Sequence, residues 1–364
     1  METLCKICGG QHVTGACTEK EKVDDLKFQF FPKFESFTGG QADKEGKYSE
    51  PTAERGAEIE RRLDQLGEIM AGAGFDYLLD GAINISLLKN KFIRDHKDVD
   101  ISIVDQDLMA LDEQIKKKGY VIVSAARDKA TDSQRCLEIV SPQEIIERNL
   151  RELQLARIDD DGKILNDSKD INFIDLHVHH RDSVGNIVIN YSKVNLPAKY
   201  FQENGRYQTA SGYEIPISHP VVVAYHKVES GRDYDFTDIG YLKDLLSEED
   251  KSFLLDLFEQ EPKRALEQFT LKVKEIFSDI NPQMPAEEIK SQLEKSGIGK
   301  DPRGRAFIED FLKMLVAEPE MNEARFIAIV AEKFEIKIEI EKRKVQAKNK
   351  VDKLKEALGI KKST

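Results

Sequence analysis

The apolar positions change period several times between residues 52 and 250, and each change marks an element. Ile59, Leu63, Leu66 and Met70 recur at helical spacing, Thr52 stands where an N-cap is needed, and the AGAG at 71–74 ends the pattern. FDYLL then reads as a short strand, INISLLKN as a short helix, DVDISIV as a strand, LMALDEQIKKKG as a helix and YVIVSA as a strand. INFIDLHV and NIVIN follow as two strands parted by the turn RDSVG, and SGYEIPI as another. From HPVVVAYHKV onward the period is helical, through DIGYLKDLL, EEDKSFLLDLF and PKRALEQFTLKVKEIF, with a break at Pro282 and Pro285. The final stretch, EIKIEIEKRKVQAKNKVDKLKEAL, begins with strand-like alternation and ends in helix formers; its length and charge density favour a helix. The pattern therefore predicts an α/β layer followed by a helical half.

Composition narrows the classes. A chain of 364 residues with 40% apolar content has room for two compact domains. No run approaches the ~18 apolar residues of a membrane span, and METLCKICGG lacks the apolar core of a signal peptide, so a cytoplasmic protein without a membrane partner is expected. Lys and Arg number 55 against 67 Asp and Glu, a formal charge of −12, which argues against extended DNA binding. The run Lys342, Arg343, Lys344, Lys348, Lys350, Lys353 and Lys355 is a basic face that suits RNA, although such a run is more often a solvated helix face.

Three of the four cysteines fall in the first seventeen residues, a clustering that points to metal rather than to disulfides. Cys5, Cys8, His12 and Cys17 read C-x2-C-x3-H-x4-C, and a C-x2-C turn followed by glycines lets one short loop supply a tetrahedral Zn²⁺ set. So short a segment has almost no core, so the metal would supply most of its folding energy. The pattern resembles a zinc knuckle with one residue fewer before the histidine. Beyond it, FQFFPKF packs Phe28, Phe30, Phe31 and Phe34 around Pro32, a run expected to dock on the following domain.

The chemistry concentrates in DGAINISLLKNKFIRDHKDVDISI, residues 80–103. Strand alternation sends Asp98 and Asp100 to one side while Val99 and Ile101 anchor the other in the core. Two carboxylates a few Å apart repel unless a divalent cation sits between them, and Mg²⁺ is the hard, oxygen-seeking ion that carries nucleotide phosphates. The bland alternative is a solvated strand end with two surface acids.

The stretch resembles the DNA polymerase β-like nucleotidyltransferase superfamily, in which a glycine and a small residue open a helix and a D-x-D strand follows: here Gly81 and Ala82, then Asp98 and Asp100. It is most similar to the branch of the aminoglycoside and lincosamide nucleotidyltransferases and the abortive-infection nucleotidyltransferase toxins, which usually carry Gly-Gly or Gly-Ser where this chain has Gly81-Ala82. In INFIDLHVHHRDSVGNIVIN the resemblance makes Asp175 the third carboxylate, a metal ligand or the base that deprotonates the attacking hydroxyl. In HPVVVAYHKVESGRDYDFTDIGYL it makes Lys227 a phosphate contact, with Arg232 and Asp238 orienting the helices. Together these pieces cover about residues 56–250. The implied fold is a nucleotidyltransferase mixed sheet with flanking helices. The implied activity is Mg²⁺-dependent transfer of a nucleoside monophosphate, with two ions, from a nucleoside triphosphate to a hydroxyl acceptor such as a small molecule or a tRNA end. An antitoxin or another protein partner is compatible with it. Five regions are expected: a zinc-knuckle-like segment at 1–20, a linker at 21–55, the nucleotidyltransferase domain at 56–217, a helical domain at 218–330 and a charged helix at 331–364.

Two other readings compete. His177, His179, His180 and Asp182 suggest a metal-dependent hydrolase, although His177 and His179 flank Asp175 rather than replace it. Alternatively the knuckle binds nucleic acid or protein and the α/β domain is an inactive scaffold, a reading that the set Asp98, Asp100 and Asp175 argues against.

Overall fold

A computed structural model describes residues 50–96, 99–127, 135–148, 150, 153–162, 164–165, 173–189, 194–202, 204–280, 284–296, 302–318 and 320–360. The expected zinc ligands Cys5, Cys8, His12 and Cys17, the aromatic run at 28–34 and Asp98 lie outside the described residues. The chain divides into two compact units, the first ending at Leu246 and the second beginning at Ser247. No helix of the described residues is long and apolar enough to cross a membrane.

The first unit opens with α1 (Ala53–Met70), whose first turn is capped by Thr52 accepting the Arg55 N–H at 3.3 Å. Ile59, Leu63, Leu66 and Met70 are buried, each stabilising the unit by about 1.5–3 kcal/mol. There follow β1 (Tyr77–Asp80), α2 (Gly81–Leu88), β2 (Asp100–Val104), α3 (Leu108–Lys116), β3 (Tyr120–Arg127), β4 (Arg135–Ile139) and α4 (Pro142–Arg148). The chain continues through β5 (Leu153–Arg157), β6 (Phe173–Arg181), β7 (Ile187–Ile189), β8 (Val194–Leu196), a 3-10 turn at Ala198–Phe201, β9 (Arg206–Gln208), β10 (Glu214–Pro216), α5 (Pro220–Ser230) and α6 (Asp233–Leu242).

Eight of the described strands form one sheet in the order β1-β2-β6-β5-β3-β4, with β7 paired to β6 and β8 to β7. The β2–β6 pair is parallel and its neighbours are antiparallel, so the sheet is mixed. Period-2 alternation separates its faces. Leu79, Ile101, Ile103, Leu155, Ile174 and Leu176 pack with α1 in one apolar core. Their alternates Asp80, Asp100, Ser102, Asp175 and His177 share the opposite face.

The second unit comprises α7 (Glu248–Glu259), α8 (Glu261–Ser278), α9 (Ala286–Lys295), α10 (Pro302–Ala317), α11 (Glu323–Lys333) and α12 (Ile336–Ala357). Its core centres on Phe307, Phe311 and Phe326, with ring centroids 5.0–6.4 Å apart. The ambiguous C-terminal stretch is helical. Much of its basic face is paired, Arg343 with Glu339 at 3.2 Å, Lys344 with Glu341 at 2.6 Å, Lys350 with Glu261 at 3.5 Å and Lys355 with Glu259 at 3.2 Å.

Candidate active site

Register places four polar residues in one row across four strands. Asp80 on β1 pairs with Asp100 on β2, Asp100 with Asp175 on β6, and Asp175 with Gln154 on β5. Adjacent strands lie ~4.8 Å apart and paired residues share a face, so the three carboxylates stand side by side. Gln154 donates its side-chain N–H to Asp175 Oδ1 at 2.6 Å, which fixes the third acid.

Gly81 explains how the first two acids tolerate one another. It has φ +73°, the left-handed region that favours glycine, and a Cβ there would overlap Asp100 Oδ2 and stand 2.7 Å from Asp100 Cγ. The Gly81 N–H is donated to Asp80 Oδ1 at 2.8 Å, so Asp80 caps α2 while the bare Cα makes room for Asp100. The first-turn N–H groups of α2, that of Ala82 included, have no acceptor within the helix, which suits an anion.

Behind the row lies a cluster that the sequence reading did not assemble. Asp80, 1% exposed, accepts the Ser102 hydroxyl at 2.7 Å. His177 Nδ1 lies 3.4 Å from Asp80 Oδ2, and its Nε2 lies 3.9 Å from Asp100 Oδ1. His226 of α5 brings Nε2 to 3.8 Å from Asp80, and its ring lies 5.7 Å from that of His177 and 6.0 Å from that of His179. Burial by itself would raise the Asp80 pKa; the His177 contact, the charges of His226 and His177 and the Ser102 hydroxyl outweigh it and hold the carboxyl well below the usual range. For His177 burial acts downward, and the contact with Asp80 together with the charges of Asp100, Asp80 and Asp175 raises the pKa to about 9. Burial pushes His226 down to about 4, against the pull of Asp80.

The segment leading into β2 is held at several points. His96 meets Ser86 of α2 at 2.7 Å, Arg55 of α1 donates to Asp95 at 3.1 and 3.2 Å, and Arg94 reaches Asp238 of α6 at 3.4 Å. Lys227, expected to meet a phosphate, instead places its amine 3.2 Å from Asp235 and 2.8 Å from Asp238, two carboxylates with no exposed surface. At 8% exposure a lysine needs such partners. Arg232 completes the network at 2.8 Å from Asp235.

The histidine-rich ligand set does not converge. His177 and His179 face Asp80 and Ser102, whereas His180 points to the other side and meets Asp105 at 2.7 Å. Asp182 accepts the N–H groups of Val184 and Asn186 within its own turn. Among the described residues no group of three or more His, Cys, Asp and Glu is arranged to hold a metal ion. Asp100 and Asp175 are two hard oxygen donors at paired positions beside the first turn of α2, a donor set whose chemistry fits Mg²⁺.

No protein-family model matches the chain. No curated protein matches it either. Among solved structures, an antigenic nucleotidyltransferase-like protein from Paracoccidioides brasiliensis is similar over 60% of this chain and 93% of its own, with 14% identity and a TM-score of 0.32.

Proposed function

We propose that this face carries out Mg²⁺-dependent nucleotidyl transfer: a hydroxyl acceptor attacks the α-phosphorus of a nucleoside triphosphate and pyrophosphate leaves. The observation that carries the reading is the pairing of Asp100 with Asp175 on adjacent parallel strands, with the Gly81 Cα against the Asp100 carboxylate at the start of α2. Asp100 and Asp175, with Asp98 from the sequence reading, would hold the Mg²⁺, which supplies positive charge to the triphosphate and to the attacking oxygen.

The residues of the chain have separable tasks. The Gly81 N–H is held by Asp80, so the next N–H groups of the first turn, that of Ala82 included, are the ones that would meet phosphate oxygens. Asp175, between Asp100 and Gln154 in the row and held by Gln154, accepts the proton of the attacking hydroxyl. The staples at Arg94, Asp95 and His96 fix the approach to β2, so positioning rather than covalent chemistry does most of the catalysis. Lys227 serves the same end by tying α5 to α6 through Asp235 and Asp238.

Incubating the full chain with α-labelled nucleoside triphosphates, Mg²⁺, total tRNA and cell extract tests the reading. Label transferred to a hydroxyl-bearing acceptor, and lost in Asp175→Asn, is expected. Label that stays in the nucleotide pool with every acceptor contradicts it.

A further inference from the structure

We propose that His177 is the positioning residue of the site: its imidazole holds the Asp100 carboxylate in the orientation that receives the divalent cation. The inference rests on the nucleotidyl-transfer reading. It starts from a closed circuit of contacts. Asp80 accepts from the Gly81 N–H at 2.8 Å and from the Ser102 hydroxyl at 2.7 Å, so both of its oxygens are fixed. His177 Nδ1 rests 3.4 Å from one of those fixed oxygens, which sets the plane of the ring. The other ring nitrogen then stands 3.9 Å from Asp100 Oδ1. Asp100 Oδ2 faces the bare Cα of Gly81, where a Cβ would overlap it. Each oxygen of Asp100 therefore has its own wall, glycine on one side and imidazole on the other, and Gly81 joins back to Asp80 through the chain.

The strand geometry puts His177 on the carboxylate face of the sheet, away from the apolar core. It follows Asp175 by two residues on β6, pairs with Ser102 in register and keeps 36% of its side chain exposed on the carboxylate face. Ordered partners of this kind fix the orientation of a metal-ligating carboxylate, and removing them costs about 10–100-fold in metal affinity.

Asparagine and glutamine separate the two ring nitrogens. His177→Asn keeps a donor near the Nδ1 position, facing Asp80, and loses the one facing Asp100. His177→Gln extends a donor to the Nε2 position. The probe is Mn²⁺ alone, titrated calorimetrically into the full chain, with thermal unfolding recorded for each variant. The expected result is Mn²⁺ affinity weakened about 10–100-fold in His177→Asn and held within about threefold of wild type in His177→Gln. His177→Ser replaces the asparagine variant if the latter does not fold, and is read the same way. Wild-type Mn²⁺ affinity in His177→Asn, or equal losses in both folded variants, overturns the inference while leaving the nucleotidyl-transfer reading in place. A wild type that binds Mn²⁺ no better than Asp100→Asn overturns that reading, and the inference with it.

Discussion

Gly81→Ala tests the geometry of the carboxylate row at one atom. Gly81 has φ +73°, and an alanine in that region costs about 1–2 kcal/mol from backbone sterics alone. Gly72 supplies the control, since its φ is +74° and nothing lies within 4 Å of where its Cβ would stand. Gly72→Ala should therefore show the backbone cost and no more. At Gly81 the new methyl group meets Asp100 Oδ2, with Cγ at 2.7 Å and Cβ at 3.2 Å, so the carboxylate must swing out of its place against His177. Overpacking of that kind adds about 1–3 kcal/mol, for an expected total of about 2–5 kcal/mol. Hydrogen exchange of the β1 and β2 amides reads the loss in the first unit by itself. In the double variant Gly81→Ala/Asp100→Ala the carboxylate is gone and the remaining contact needs only a slight shift, so most of the steric cost should be recovered. Equal costs at Gly72 and Gly81, or no recovery in the double variant, would refute the close approach.

Lys227→Met should cost about 3–5 kcal/mol, because it strips the amine from Asp235 and Asp238 inside the first unit; exchange protection of the α5 amides measures it, and a loss under about 1 kcal/mol would mean that Arg94 and Arg232 suffice. His226 sets an acid limit. Burial holds its folded pKa at about 4, below the ordinary 6.5, so its contribution is present above pH 6.5 and is lost as pH falls towards 4; His226→Gln should flatten the stability profile in that window, and an unchanged profile argues against the buried neutral ring. His177 acts in the opposite sense, since its pKa is raised to about 9: its contribution is complete below pH 6.5 and disappears as pH rises through 9, and His177→Gln should remove that alkaline decline. For the N-terminal segment, metal analysis should find one Zn²⁺ per chain through Cys5, Cys8, His12 and Cys17, with a clear drop in Cys8→Ser; less than about half an equivalent would oppose zinc binding.

Much of the first unit was legible because its signals are local. The spacing of Ile59, Leu63, Leu66 and Met70 gives α1, and the alternation about Ile101 and Leu176 gives β2 and β6. Strands β4 and β5 escaped notice: RCLEI and LQLAR are five-residue pieces within charged surroundings, and only their neighbours β3 and β6 make them strands. The acid row was half visible. Asp100 and Asp175 stood out through the D-x-D strand and a family resemblance, whereas Asp80 reads as the last residue of an apolar strand. Its N-cap role before Gly81 was the local signal available. Its meeting with His177, 97 residues away, depends on β1 lying beside β2 and β2 beside β6, a register no local pattern encodes. The ion pairs of Lys227 were hidden for a related reason: its partners Asp235 and Asp238 lie on the next helix and turn back onto it.

Pyrophosphate release tests the central claim most directly. Full-length protein is given each nucleoside triphosphate with Mg²⁺ and an extract-derived acceptor pool, beside Asp100→Asn and Asp175→Asn prepared in the same way. Both substitutions keep the shape of the side chain and remove its charge, so the fold should survive while turnover falls at least about 100-fold in each. Pyrophosphate released equally by wild type and both variants, or by none of them with any nucleotide and acceptor, would contradict nucleotidyl transfer at the paired carboxylates.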